Sequence, residues 1–314
     1  MMPLYKLDCP KGKLPDGVLK PAAETAIDVE SHLESWLEHS PWAVLEEPLL
    51  IIARQASAKT TETTVFPDLL ALDADGNLVV IELKKGRAPR DVSAQLLEYA
   101  AWAADLSHDE IARIAASYLG IEAMEPDEQL AAMFLETFEC EEFPTLGKQL
   151  RLVIAAEVIP PSVARVCRFL RSHHGIKLTC LAFSVFRTGS GEILVQSEQI
   201  VGAEQGGKPN SSEPSGRWLG DMPVKEVVWQ AVELLTGDQP DRIFSPKEVI
   251  AAIQEKYPSF NVNTARCQLI ADCVNHTSRH HYPGGKDRYW TVGKGRFQLY
   301  KPEDLISRPR ASVT

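Results

Sequence analysis

Three residues in the stretch from Val65 to Gly86, VFPDLLALDADGNLVVIELKKG, are out of keeping with their neighbours. Asp68, Glu82 and Lys84 stand beside LLAL (69–72) and LVVI (78–81), which are apolar at both parities of the strand period. Strand side chains alternate between faces, so such runs read as strands covered on both sides. A carboxylate there needs compensation, because burying an unpaired charge is costly. Asp75-Gly76 marks a hairpin turn. A two-residue loop would set Asp68 opposite Leu83. A three-residue loop, Ala74 to Gly76 with Gly76 left-handed, sets Asp68 opposite Glu82 and puts Lys84 on the same face. In that second register two carboxylates oppose each other with Cβ atoms about 5 Å apart, and their repulsion calls for a cation. Lys84 supplies one positive charge; a divalent ion supplies two. Oxygen donors without thiolates favour Mg²⁺ or Mn²⁺. Such an ion polarises a phosphoryl oxygen and lowers the pKa of a bound water, chemistry suited to phosphodiester hydrolysis. Lys84, held protonated by its acidic neighbours, would steady the charge that develops on the phosphate.

The elements that must position these groups follow from periodicity. AETAIDVESHLESWLEHSP places Ile27, Leu33, Trp36 and Leu37 at helical spacing, with Pro41 past the end. PLLIIARQ is a strand, and the hairpin follows it. RDVSAQLLEYAAWAADL is a helix, and two more helical stretches lie near 108–119 and 127–138. QLRLVIAAEVI (149–159) is a buried strand. PPSVARVCRFLRSHHG is a helix that opens on prolines and closes on Gly175. Two strands, IKLTCLAFSVFR and EILVQSEQIV, complete the unit. This order predicts an α/β fold, a mixed sheet with helices packed on it.

The hairpin, with its strand context, resembles the PD-(D/E)XK nuclease superfamily: Pro67-Asp68 is the PD and Glu82-Leu83-Lys84 the ExK. Gln95 and Tyr99 on the following helix match the Q-x-x-x-Y element of RecB-like branches. The combination with LLIIARQ and QLLEYAAW looks most like NucS-type endonucleases and related restriction-type nucleases. The likeness spans roughly residues 25–200 and implies a restriction-endonuclease-like fold. It also implies Asp68 and Glu82 as metal ligands, Lys84 as the catalytic lysine, and an acid on the first helix. Glu30 sits best for that acid, with Glu34 one turn later on nearly the same face. Gln55, at the end of the strand beside the hairpin, is placed to contact the site or the substrate. Lys85, Arg87 and Arg90 follow the site directly and would grip flanking phosphates.

The 314 residues fit more than one domain, and charge divides them. Residues 215–314 hold 14 Lys+Arg and 11 Asp+Glu, whereas residues 1–214 hold 19 and 32. The expected boundaries are an extension over 1–24, the nuclease-like domain over 25–201, a Gly/Pro/Ser-rich linker over 202–217, a small domain over 218–305 and a tail over 306–314. PVKEVVWQAVELLTG, SPKEVIAAIQEKYP and NVNTARCQLIADCVNH read as three helices, the second with a capping box from Ser245 to Glu248. RYWTVGKGRFQLY then gives a hairpin around Gly293-Lys294-Gly295, the order of a winged helix-turn-helix. Asn263, Thr264, Arg266 and Gln268 would lie on its recognition helix and Lys294 and Arg296 on its wing, which predicts DNA as partner.

No run of about 18 apolar residues indicates a membrane span, and the first residues have no signal-peptide core. A cytoplasmic location is expected. The six cysteines form no C-x-x-C pair and read as ordinary thiols. The adjacent histidines at 173–174 and 280–281 read as solvated surface. The reading is a metal-dependent DNA endonuclease, which would need a homodimer to cut both strands. Its rivals are a non-catalytic DNA-binding protein on a nuclease scaffold and an RNA-directed nuclease with a protein-docking winged helix.

Overall fold

The apolar runs pair into one mixed sheet. The computed structural model describes residues 4–8, 18–27, 30–45, 47–55, 58–59, 64–65, 67–120, 126–138, 140, 142–202, 222–237, 239, 241–258, 260, 262–276, 279, 285–293 and 295–302. The elements run β1 (Leu4–Asp8), β2 (Val18–Thr25), α1 (Glu30–His39), α2 (Trp42–Leu45), β3 (Leu50–Arg54), β4 (Ala58–Lys59), β5 (Thr64–Val65), β6 (Leu69–Leu72) and β7 (Leu78–Arg87). Then come α3 (Val92–Ala104), α4 (His108–Leu119), α5 (Pro126–Phe138), β8 (Leu150–Val158), α6 (Pro161–His174), β9 (Lys177–Arg187) and β10 (Ile193–Val201). The chain continues with α7 (Val224–Thr236), α8 (Pro246–Lys256), α9 (Val262–Ala271), β11 (Tyr289–Gly293) and β12 (Arg296–Leu299).

The large sheet has the order β1-β2-β9-β8-β7-β6-β3, with β10 on the other side of β9. The strands β7, β8 and β9 are parallel; β3, β6 and β7 are antiparallel. Both faces are covered, as the double-parity runs require. Leu50, Ile52, Leu70, Leu72, Leu78 and Val80 pack towards Val92, Leu96 and Tyr99 of α3 and Val163 and Cys167 of α6. Ile51, Leu69, Ala71, Val79, Ile81 and Leu83 pack towards Leu33 and Leu37 of α1. Residues assigned above to an extension, 1–24, contribute to this sheet: β1 and β2 form a hairpin, and Ala23 to Thr25 pair with β9. Apolar alternation is weak in LYKLD and VLKPAAET; β1 pairs with β2, and β2 joins the sheet through Ala23 to Thr25 beside Arg187 to Val185 of β9.

The hairpin adopts the three-residue loop. Leu69 pairs with Ile81 and Leu72 with Leu78, Asp73 N–H donates to Asn77 O at 3.0 Å, and Gly76 has φ +78°. A Cβ at Gly76 would stand 2.8 Å from Pro144 Cγ, so the turn needs glycine for both conformation and space. The same register carried one step further sets Asp68 opposite Glu82.

After the linker region, of which residues 203–221 lie outside the described residues, α7, α8 and α9 enclose a second core of Val228, Val232, Phe244, Val249, Leu269, Tyr289 and Phe297. The Ser245–Glu248 capping box forms at α8. A single extra rung joins Phe244 to Phe297 beside the β11–β12 hairpin. Among the described residues no helix is long and apolar enough to cross a membrane. The expected tail over 306–314 and Cys9 lie outside the described residues.

Candidate functional site

The site forms where β3, β6 and β7 end beneath the start of α1. Gln55 N–H donates to Asp68 O at 2.8 Å, which extends the β3–β6 pairing and fixes the backbone on which Asp68 stands. The Asp68 carboxylate turns to β7 and accepts from Leu83 N–H at 2.7 Å. Glu30 and Glu34 stand four apart on α1, hence on one helix face. Glu30 accepts from Lys85 N–H at 2.6 Å, which ties the first turn of α1 to the end of β7. Among the described residues Glu30, Glu34 and Asp68 form a group in which one carboxylate oxygen of each lies within 4.8 Å of the others. The first-helix acid therefore need not be chosen between Glu30 and Glu34: the fold brings both.

Glu82 stands outside that group. Its Oε1 is ion-paired to Lys84 Nζ, and its Oε2 is among the buried side-chain atoms with no hydrogen-bond partner. Its side chain is 1% exposed. Burial first, then the Asp68 charge, pushes the Glu82 carboxyl up to about 8. Burial also raises Asp68, to about 6, against the opposing effect of the Leu83 N–H and Lys84, with Glu34 and Glu30 adding to the rise. For Lys84 burial works against the charge, but the bonded Glu82 carboxylate with Asp68 and Glu30 outweighs it and holds the ammonium above its ordinary pKa. The site is thus rich in acids: Glu82, Asp68 and Glu30 all act on the one lysine, and Glu34 stands beside Asp68 and Glu30.

Part of the excess is met by a residue that sequence reasoning missed. Arg54 Nε and Nη2 donate to Glu34 Oε2 at 3.2 and 3.0 Å, and Nη1 donates to Glu38 at 2.7 Å. The other Glu38 oxygen accepts from Tyr118 OH of α4. Burial alone would lower the Arg54 pKa, but Glu34 and Glu38 hold it above its usual value. The signal existed in the sequence as the one cation of the β3 run, on the strand adjoining the motif strand. Glu157 was missed too: it accepts from Ile27 N–H at 2.8 Å and Gly86 N–H at 2.7 Å, clamping the approach to α1 against the end of β7.

The remaining predicted residues divide. Gln55 joins the site, its Nε2 3.4 Å from Glu34 Oε2, and it is the only non-glycine residue with positive φ (47°) among those described. Gln95 and Tyr99 face the site as a bonded pair, Gln95 Nε2 donating to Tyr99 OH at 2.6 Å. Burial and then the Glu82 charge raise the Tyr99 pKa. Lys85, Arg87 and Arg90 are exposed beside the end of β7. In the second unit Thr264, Arg266 and Gln268 are half-buried, and Arg296 is exposed. Lys294 and the side chain of Asn263 lie outside the described residues. Much of the basic character of 275–301 is consumed internally. Arg279 pairs with Asp287, Lys286 and Arg288 with Glu226 at 3.2 and 3.1 Å, and Lys301 with Asp241. Tyr289, Trp290 and Phe297 are core residues.

Residues 223–299 match the model of a domain of unknown function, DUF7669. No curated protein matches the chain. Among solved structures, the chain is similar to a repair endonuclease from Pyrococcus abyssi, at 19% identity over 50% of this chain and 48% of that one, with a TM-score of 0.28. The EndoMS-dsDNA2 complex aligns at 17% identity over 57% of this chain and 65% of that one, with a TM-score of 0.27. EndoMS in apo form aligns at 16% over 56% and 63%, with a TM-score of 0.26. The chain therefore spans about half of the first of these and just under two thirds of the others.

Proposed function

We propose that this protein is a Mg²⁺- or Mn²⁺-dependent endonuclease that hydrolyses DNA phosphodiester bonds. The observation that carries the reading is the convergence of Glu30, Glu34 and Asp68 within 4.8 Å, beside a Glu82 whose second oxygen is buried and unpartnered. Carboxylate oxygens without nitrogen or sulfur donors suit a hard divalent ion. Glu30, Glu34 and Asp68 would hold it, with the free Glu82 oxygen in reserve. Such an ion supplies a Lewis acid for the phosphoryl oxygen and an acidified water.

The chain's own groups do the rest. Lys84, fixed by Glu82 and kept protonated, offers its Nζ to the non-bridging phosphate oxygen on which charge accumulates. Arg54 donates to Glu34 through two nitrogens and holds it in one rotamer, so that the acid is aimed before substrate arrives. Gln95, bonded to Tyr99, fixes the orientation of the phenol hydroxyl. The C-terminal unit is a winged helix-turn-helix in this reading: three helices, a hairpin, and the Phe244 rung beside the hairpin support it. Two copies of the chain would supply the two sites that a double-strand break requires.

The test is cleavage of plasmid, linear, single-stranded and mismatched DNA, and of RNA, with Mg²⁺, Mn²⁺ or chelator. The expected result is metal-dependent nicking or cutting of DNA that Lys84→Ala slows by about 10²–10³-fold. Cleavage of RNA alone would favour the rival nuclease reading. Tight DNA binding with no cutting of any substrate would favour the non-catalytic one.

A further inference from the structure

The helix α6 carries a basic stretch within the acidic N-terminal part of the chain. Between Pro161 and Lys177 the chain carries Arg165, Arg168, Arg171 and Lys177 and not one acid, although residues 1–214 hold 32 Asp+Glu against 19 Lys+Arg. The inner side of α6 is apolar, with Val163, Ala164 and Cys167 buried against the sheet. The outer side presents Arg165, Arg168, Ser172 and His173 together with Val166 and Phe169, which are 45% and 50% exposed. The Phe169 ring is stacked on His173 at 4.8 Å and meets His174 edge-on at 5.1 Å. Among the described residues neither Arg165 nor Arg168 has a carboxylate partner; Arg168 bonds only the carbonyl of Ile200, at 3.0 Å. This contrasts with the basic stretch of the C-terminal unit, whose cations are largely paired.

The placement connects this face to the site. The strands β7 and β8 end together, Arg87 pairing with Val158 and Ala88 N–H donating to Val158 O at 2.9 Å. Three residues later α6 begins. Its first turn therefore follows the strand ends that carry Lys84 and Arg87, with Arg90 just beyond, and its 14 residues run about 20 Å back across the sheet. Cations without acidic partners, next to exposed aromatic and histidine rings, fit a polyanion with stackable or groove-lining apolar surface.

We propose that the outer face of α6 is a DNA-backbone contact surface that continues the Arg87–Arg90 rim and holds the duplex arm leaving the active site. The inference rests on the nuclease reading above and adds to it a second contact surface on the same domain.

The test measures binding and cutting separately on the full chain. Fluorescence anisotropy with a 30-base-pair duplex, in chelator and across a salt series, compares wild type with Arg165→Gln/Arg168→Gln and with the control Arg113→Gln, an exposed arginine on α4. Loss of two phosphate contacts is expected to lower affinity about tenfold or more at low salt and to flatten the log–log salt slope by about 2. The control should leave both unchanged, and cutting at saturating DNA should persist in the double variant. If wild type cuts DNA while the double variant binds it with unaltered affinity and slope, the α6 surface is wrong and the nuclease reading stands. If wild type neither binds nor cuts, both fall. If polyglutamate competes as well as DNA, the surface belongs to an acidic protein partner and the proposal is overturned. A measurement on the unmutated chain guards against misfolding: arginine modification by phenylglyoxal, mapped by mass spectrometry, should be blocked by duplex at Arg165. Equal modification with and without DNA would overturn the proposal.

Discussion

The two ends of the β6–β7 hairpin hold buried acids in opposite conditions. At the turn end, Asp73 accepts from Asp75 N–H and Asn77 N–H at 2.9 Å each and from Asn77 Nδ2 at 3.1 Å, and Arg151 bridges it, at 3.0 Å, to Glu47. At the other end, about 17 Å along the strand, Asp68 and Glu82 share one lysine and one N–H, and a Glu82 oxygen is left bare. One hairpin thus contains a saturated polar network and an unsaturated one. The first satisfies every acid and fixes the loop. The second leaves a buried carboxylate oxygen without a donor and holds both acids above their ordinary pKa. Buried acids alone therefore do not mark a site; their deficit of donors does.

The largest effect should come from unbalancing the saturated end. Arg151→Met leaves Glu47 and Asp73 buried without their cation and should cost about 3–5 kcal/mol of stability, read as a lower urea midpoint. Adding Asp73→Asn should recover part of it. A neutral result would mean that the triad is solvated, and the contrast between the ends would lose its basis. Next in size is Lys84→Ala at the unsaturated end. It should slow cleavage by about 10²–10³-fold while leaving the urea midpoint within a small margin of wild type. If it unfolds the protein instead, Lys84 is a structural counter-ion like Arg151.

The third prediction concerns pH. Asp68 and Glu82 bind their protons more tightly in the folded chain, about 6 and about 8 against ordinary values of 3.8 and 4.5. Such acids contribute stability that is complete at low pH and is lost as pH rises from about 4 towards 8. In chelator, the melting temperature should therefore fall over that range. Glu82→Gln should melt above wild type at pH 8, by on the order of 2 kcal/mol, and Mg²⁺ should narrow the gap by stabilising wild type. A pH-independent melting curve would remove the claim that the acids lack compensation.

Much of this was legible in the sequence because it depends on short-range rules. Asp75-Gly76 announces the hairpin but leaves a two- and a three-residue loop open; the pairing of Leu72 with Leu78 selects the three-residue loop, and with it the opposition of Asp68 and Glu82. Pro161 and Gly175 bound α6, and Ser245 caps α8, as their types dictate. The contribution of β1 and β2 was not legible, because a strand that completes an existing edge needs little hydrophobic alternation. Nor was the pairing of Arg54 with Glu34 and Glu38, which joins residues 16 and 20 apart across a strand and a helix. Nothing in local sequence says which carboxylate an arginine will meet. The same limit hides the partners of Lys286, Arg288 and Lys301, since Glu226 and Asp241 come from far upstream.

Gln55 gives the smallest expected effect and tests the contrast most finely. Its φ of 47° is a conformation that costs a non-glycine residue about 1–2 kcal/mol. The saturated end holds its one left-handed loop residue as glycine, Gly76, which adopts that conformation freely. At the unsaturated end the strain is retained together with an amide directed at Glu34. Gln55→Gly should relieve the strain and remove the amide, so the protein should gain up to about 1 kcal/mol of stability and lose cleavage rate a few-fold. Gln55→Ala keeps the strained backbone and removes only the amide, so it should lose the same rate without the gain in stability. Equal melting temperatures for the two variants would mean that the left-handed backbone costs nothing here. An undiminished rate in both would mean that the amide does not act on Glu34, and that the site is organised by Arg54 and Lys84 alone.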